Sequence, residues 1–165
     1  MSARILSYGL GLDSTAILAR WLLEPESRDF DLADLVVITA MTGDEYSETG
    51  RLVEAHILPL LRENRVRYIQ VARRARLISE GFVVLDDSRS PERLFLAGEY
   101  TLSQEMQDSG TVPQRGGAKL CSVHAKGEVL DPTIEKVLDG VERLARGHHE
   151  STGDPRFCRP FSHFI

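Results

Sequence analysis

Apolar positions in the first half of the chain fall into two kinds of run. RILSYG (4–9) is short and apolar and predicts a buried strand. From Thr15 the pattern becomes helical, with Ile17, Leu18, Trp21 and Leu22 on one face and Asp13 or Ser14 placed as N-cap. Pro25 and the charges of EPESRD (24–29) end that helix. ADLVVITA (33–40) is nearly continuous in apolar character, as a strand covered on both faces requires. After the polar turn MTGDEYSET, a second helix is predicted from about Glu48 to Asn64, burying Val53, Ile57, Leu60 and Leu61, with Pro59 kinking it or ending its regular part. VRYIQVA (66–72) is a third strand. Strand and helix alternating in this way predict a parallel α/β sheet with right-handed crossovers.

The pattern loosens after Arg76. FVVLD (82–86) is a candidate strand, and ERLFLAGEYTLSQEMQ has room for one or two short helices. DSGTVPQRGGAK (108–119) is a long polar, Gly-rich loop, a kind that in a compact domain is usually functional or disordered. DPTIEKVLDGVERLAR (131–146) predicts a helix with Asp131 as N-cap, Pro132 at its first position, and Ile134, Val137, Leu138, Val141 and Leu144 in periodic order. From about residue 147 the tail has no clear period, so residues 1–165 are read as a single domain with a less regular C-terminus.

Composition narrows the classes. With 42% apolar and 27% charged residues and a formal charge of −5, the chain reads as an ordinary soluble domain without a membrane span or secretory signal, which points to the cytoplasm. The charge also argues against a surface devoted to nucleic acid. Two cysteines, Cys121 and Cys158, with no CxxC pair, exclude a four-thiolate metal site built from this chain alone.

The chemistry concentrates at SYGLGLDSTA (7–16). A strand feeding a helix through glycines presents free amides and the positive end of the helix dipole to one point, which suits an anion. Gly9 and Gly11 allow close approach, and Ser14 and Thr15 offer hydroxyls. A Walker loop would carry lysine where Asp13 stands, and the G-x-G-x-x-G dinucleotide pattern is incomplete.

SYGLGLDSTAIL resembles the PP-loop signature of the adenine-nucleotide alpha-hydrolase superfamily, S-G-G-x-D-S, and in particular the phosphoadenosine-phosphosulfate-reductase-like branch, in which SYGGGVDSTALL is typical. ITAMTGDEYSET, SPERLFLAGEYTLSQEM and GGAKLCSVHAKGEVLD resemble three further segments of that branch in the same order. The resemblance implies a doubly wound, mostly parallel five-stranded sheet with helices on both faces, a three-layer α/β/α domain of HUP-like type. It implies adenine nucleotide at the carboxyl ends of the strands, with Ser7, Gly9, Gly11, Asp13, Ser14 and Thr15 forming the phosphate-binding loop. The implied chemistry is cleavage of ATP between its alpha and beta phosphates, with adenylation of an acceptor and release of pyrophosphate. Mg²⁺ would be carried by the nucleotide. The alternatives are reduction of a sulfonucleotide by a cysteine and nucleotide binding without turnover. The chain departs from the pattern at Leu10, where glycine is typical, and it lacks the reductases' Glu-Cys-Gly-Ile-His segment. A leucine at positive φ would cost roughly 1–2 kcal/mol.

Outside the loop, Asp44 and Glu45 follow the second strand, and Asp44 is the candidate for Mg²⁺ or ribose. Arg115, Lys119 and Lys126 surround Cys121. Arg115 and Lys126 are candidates for phosphate, and cations of this kind would lower the thiol pKa and make Cys121 a nucleophile. Asp13, Lys126 and Cys121 are therefore the candidate catalytic residues. His124 is a possible acid or base, whereas His148 and His149 are adjacent and diverge too much to chelate one metal. Arg62, Arg65, Arg67, Arg73, Arg74 and Arg76 form a cluster that could contact nucleic acid, with a solvated helix end and strand flank as the simpler account. Besides an adenine nucleotide, the expected partners are an unidentified acceptor and a partner subunit or second copy.

Overall fold

The computed structural model describes residues 3–110, 112 and 123–150. Four strands form one sheet in the order β1 (Arg4–Ser7), β2 (Leu35–Met41), β3 (Arg67–Arg73), β4 (Phe82–Ser88). The first three are parallel neighbours, and β4 runs antiparallel to β3. Among the described residues the sheet therefore has four strands rather than the five implied by the resemblance, and it is mixed. The link from β3 to β4, residues 74–81, is too short for a parallel return, which needs about a dozen residues or more.

Both faces of the sheet are covered. Leu35, Val37 and Met41 alternate along β2 with Val36, Ile38 and Ala40, and the two sets enter separate apolar clusters. The first cluster joins Leu6, Val37 and Tyr68 to Leu18 and Leu22 of helix α1 (Leu12–Leu23) and to Leu58 and Leu61 of the second crossover helix. The second joins Ile5, Ile38, Ile69 and Val71 to Val129, Ile134 and Val137 of the C-terminal helix. The two crossover helices share one face, as two crossovers of the same hand between successive neighbours require.

The second crossover is α2 (Ser47–Leu52), a π-helical turn at Val53–Ile57, and α3 (Leu58–Glu63). Pro59 has no amide to bond the preceding turn, and the wider π turn lies just ahead of it, so the predicted loss of regularity takes this form. Helix α4 (Leu102–Ser109) is the one α-helix described between β4 and residue 112. A second π turn, Val123–Gly127, leads into α5 (Glu128–Glu150). This helix starts before Asp131, so Asp131 is not its N-cap and Pro132 lies inside it. The π turn carries the chain into the helix ahead of the proline, and the Thr133 hydroxyl donates to the Val129 carbonyl at 2.7 Å. No helix among the described residues is long and apolar enough to cross a membrane.

Candidate functional site

The parallel strands β1, β2 and β3 run the same way, so the loops that leave them lie at one edge of the sheet, with β1 ending opposite Ile38, ahead of the end of β2 at Met41. In open α/β sheets this carboxyl edge is where ligands lodge.

Residues 8–14 leave β1. The Tyr8 amide donates to the Ile38 carbonyl at 2.8 Å, which fastens the start of the loop to β2. Helix α1 begins at Leu12 with Gly11 as N-cap, so neither Asp13 nor Ser14 is the cap; both lie in the first turn. The first bonded amide of the helix is that of Thr15, to the Gly11 carbonyl at 3.0 Å. The amides of Gly9 through Ser14 form no hydrogen bond among the described residues. A Cβ added at Gly9 or Gly11 would meet nothing within 4 Å, and neither glycine has a positive φ. Among the described residues no atom demands glycine at these two positions, and the space beside each backbone is open.

Leu10 has φ +60°, the left-handed conformation that glycine would take without strain. Its partly buried side chain packs on the first apolar cluster, which offsets the strain and turns the side chain toward the core. The Ser14 and Thr15 hydroxyls both donate to the Gly11 carbonyl, at 3.2 and 2.7 Å. In this arrangement their protons face the protein's own backbone. Asp13 is exposed and makes no hydrogen bond or ion pair among the described residues, and Ser7 is exposed at the end of β1.

At the end of β2, Thr42 is buried and its hydroxyl donates to Glu45 Oε1 at 3.0 Å. Gly43 has φ +89°, and a Cβ there would lie 2.3 Å from Thr101 Cγ2, so here glycine is required by both conformation and space. Asp44 Oδ2 accepts the Ser103 amide at 2.7 Å. The carboxylate thereby caps α4, whose N-terminus also carries a reciprocal Thr101–Gln104 capping box. Oδ1 of Asp44 has no hydrogen bond among the described residues and is the atom with which it could hold a cation. No group of three or more His, Cys, Asp or Glu side chains that could hold a metal ion exists among the described residues.

Helix α4 is strapped across the same edge. The Leu102 amide donates to the Thr42 carbonyl at 2.8 Å. Arg73, buried at the end of β3, pairs with Glu105, donates to the Arg76 carbonyl, and lies 5.2 Å from the centre of the Tyr100 ring. Gly98 passes so close to β3 that a Cβ would come within 2.3 Å of Ala72 Cβ.

Three of the six clustered arginines are occupied within the protein. Arg62 donates to the Pro91 carbonyl, Arg67 makes a two-pronged pair with Asp87, and Arg73 pairs with Glu105. Arg65, Arg74 and Arg76 are exposed. Lys126 lies in the π turn packed near β2, partly buried and without an ion pair among the described residues. Arg115, Lys119, Cys121 and Cys158 lie outside the described residues. His148 and His149 are in the last turns of α5. Sequence reasoning missed Tyr8, Ser103 and Glu105, and it placed Arg73 in a surface cluster rather than in a buried pair. The signal for the buried role of Arg73 was its place as a charged residue closing an apolar strand.

A hollow of about 280 Å³ lies at the opposite end of β1, lined by Arg4, Ile5, Trp21, Ser27, Arg28, Asp29 and Phe30. It is remote from the carboxyl edge. The guanidinium of Arg28 there is bonded to the Trp21 and Phe30 carbonyls. No family model, no curated protein and no solved structure matches the chain.

Proposed function

We propose that the chain binds an adenine nucleotide through its phosphates at Gly9–Ser14, as a PP-loop protein, and cleaves ATP between the alpha and beta phosphates to adenylate an acceptor. One observation carries this reading: a run of amides, Gly9 to Ser14, unbonded among the described residues, at the carboxyl end of β1 and including two glycines beside open space. Such a run supplies several donors and the positive helix end to one anion. The glycines fit because a phosphate needs the volume that a Cβ would fill. Bound ATP supplies an electrophilic alpha phosphate and a pyrophosphate leaving group. The protein's part is to hold the charged tail and bring Asp13, Asp44 and Lys126 to its surroundings, with Asp44 Oδ1 available to the accompanying Mg²⁺. On this reading the domain is of HUP-like type with a fifth strand.

A second reading, nucleotide binding without turnover, is favoured by Asp44, whose other oxygen is committed to α4. Sulfonucleotide reduction would require Cys121 or Cys158. Calorimetry with ATP, its non-hydrolysable analogue and the two sulfonucleotides, repeated on Asp13→Ala and Ser14→Ala, tests the binding. Pyrophosphate release on adding candidate carboxylate or carbonyl acceptors separates turnover from binding alone. Sulfite release with reduced thioredoxin would favour the reductase.

A further inference from the structure

We infer that Tyr8 is a positioning residue that fixes the aperture of the phosphate loop by holding Thr15; the inference rests on the phosphate reading above. Tyr8 is 1% exposed, and its ring belongs to the first apolar cluster. Its amide is tied to Ile38 on β2, so its position is set by the sheet. The Tyr8 hydroxyl oxygen lies 3.1 Å from Thr15 Oγ1. The Thr15 hydroxyl has one proton and donates it to the Gly11 carbonyl, which can only accept. Tyr8 is therefore the donor to Thr15, and a directed chain runs from Tyr8 through Thr15 to Gly11.

This chain joins the strand end of the loop to the first turn of α1, across seven positions. Between the two ends, Leu10 is anchored on the same apolar cluster at φ +60°. The loop is thus held at both ends and once in the middle. The Gly11 carbonyl, which would repel a phosphate, is held into the helix by the Thr15 amide and by the Thr15 and Ser14 hydroxyls. A loop fixed in its binding conformation loses little conformational freedom when the anion arrives. A buried tyrosine hydroxyl needs a partner, and here that partner belongs to the functional loop.

The test is calorimetric titration of the full chain with inorganic pyrophosphate and with ATP, on the wild type, Tyr8→Phe, Thr15→Val, Thr15→Ser and Tyr8→Phe/Thr15→Val. Amide exchange at Gly9–Ser14 and Tm are measured alongside. Tyr8→Phe and Thr15→Val are each expected to weaken both ligands about tenfold, with the double variant little worse than either single one, because the two residues form one chain. Thr15→Ser keeps the hydroxyl and is expected to bind within about twofold of wild type, with wild-type exchange at Gly9–Ser14. Wild-type affinity in Tyr8→Phe and Thr15→Val would overturn the positioning role while leaving the phosphate site intact. Equal losses in Thr15→Ser and Thr15→Val would overturn it as well. A wild-type chain that binds neither ligand would overturn the phosphate reading itself, and this inference with it.

Discussion

The Asp44 carboxylate holds the Ser103 amide at 2.7 Å, a bond across 59 positions that ties the end of β2 to the start of α4. The sequence shows an acidic turn after a strand, and a cation or ribose contact is the natural expectation. The fold gives the same side chain a helix to cap.

The capping role has a measurable size. Asp44→Ala removes an acceptor from the first turn of α4 and is expected to cost about 1 kcal/mol. In a chain of this length that lowers Tm by about 2–4 °C. Asp44→Asn keeps a carbonyl oxygen and is expected to recover most of the loss. Thermal unfolding that is unchanged in Asp44→Ala would mean the bond contributes nothing to the fold.

The strap has a second anchor in Arg73 and Glu105. Both side chains are largely withdrawn from water, at 8% and 19% exposure. Removing one partner leaves the other charge buried, so Arg73→Ala is expected to destabilise by about 3 kcal/mol. Replacing both, as Arg73→Met with Glu105→Leu, is expected to be much milder. Denaturant unfolding of the three proteins measures the difference, and equal losses in the single and double variants would contradict the account.

Alkaline pH provides a test of the first core cluster. Burial pushes the Tyr68 hydroxyl well above its ordinary value of 10.0, partly opposed by its bond to Thr39 at 2.9 Å. Burial also raises that of Tyr8. Above pH 10 the unfolded chain loses these protons while the folded one keeps them, so stability falls as pH rises past 10, having been constant from this source below it. Tyr68→Phe is expected to flatten that decline, and an equally steep decline in Tyr68→Phe would contradict the assignment.

The glycines separate structural from functional demands. Gly43→Ala and Gly98→Ala place a Cβ 2.3 Å from Thr101 and Ala72, respectively, and are expected to lower Tm. Gly9→Ala and Gly11→Ala meet no atom of the described residues, so stability is expected to change by less than about 1 kcal/mol while ATP binding is lost. Retained ATP affinity in both variants would show that the open space is not where phosphate sits.

The period of the apolar residues made β1, β2, β3 and the two crossovers legible, because each element must bury a continuous face. The brevity of residues 74–81 also contained the antiparallel turn into β4. The start of α5 was not legible: Pro132 imitates a first helical position, and only the Val123–Gly127 turn shows that the helix is already under way. At the candidate site, the glycines and the change from strand to helix were readable as a local pattern. The bonds of Asp44 to Ser103 and Arg73 to Glu105 were not, because they join segments far apart in sequence through geometry that only the folded sheet creates. The consequence of Leu10 was half visible: its positive φ follows from the motif, its packing on the core from the fold.

The central claim is that the amides of Gly9–Ser14 grip the charged tail of a nucleotide. A titration of isotopically labelled protein with ATP and Mg²⁺, followed by amide NMR, addresses it directly. Saturable shifts centred on Gly9, Gly11, Asp13 and Ser14, reproduced by inorganic pyrophosphate, are the predicted result. Amides there that stay unmoved at millimolar ATP, or shifts confined to the hollow around Trp21 and Phe30, would contradict it.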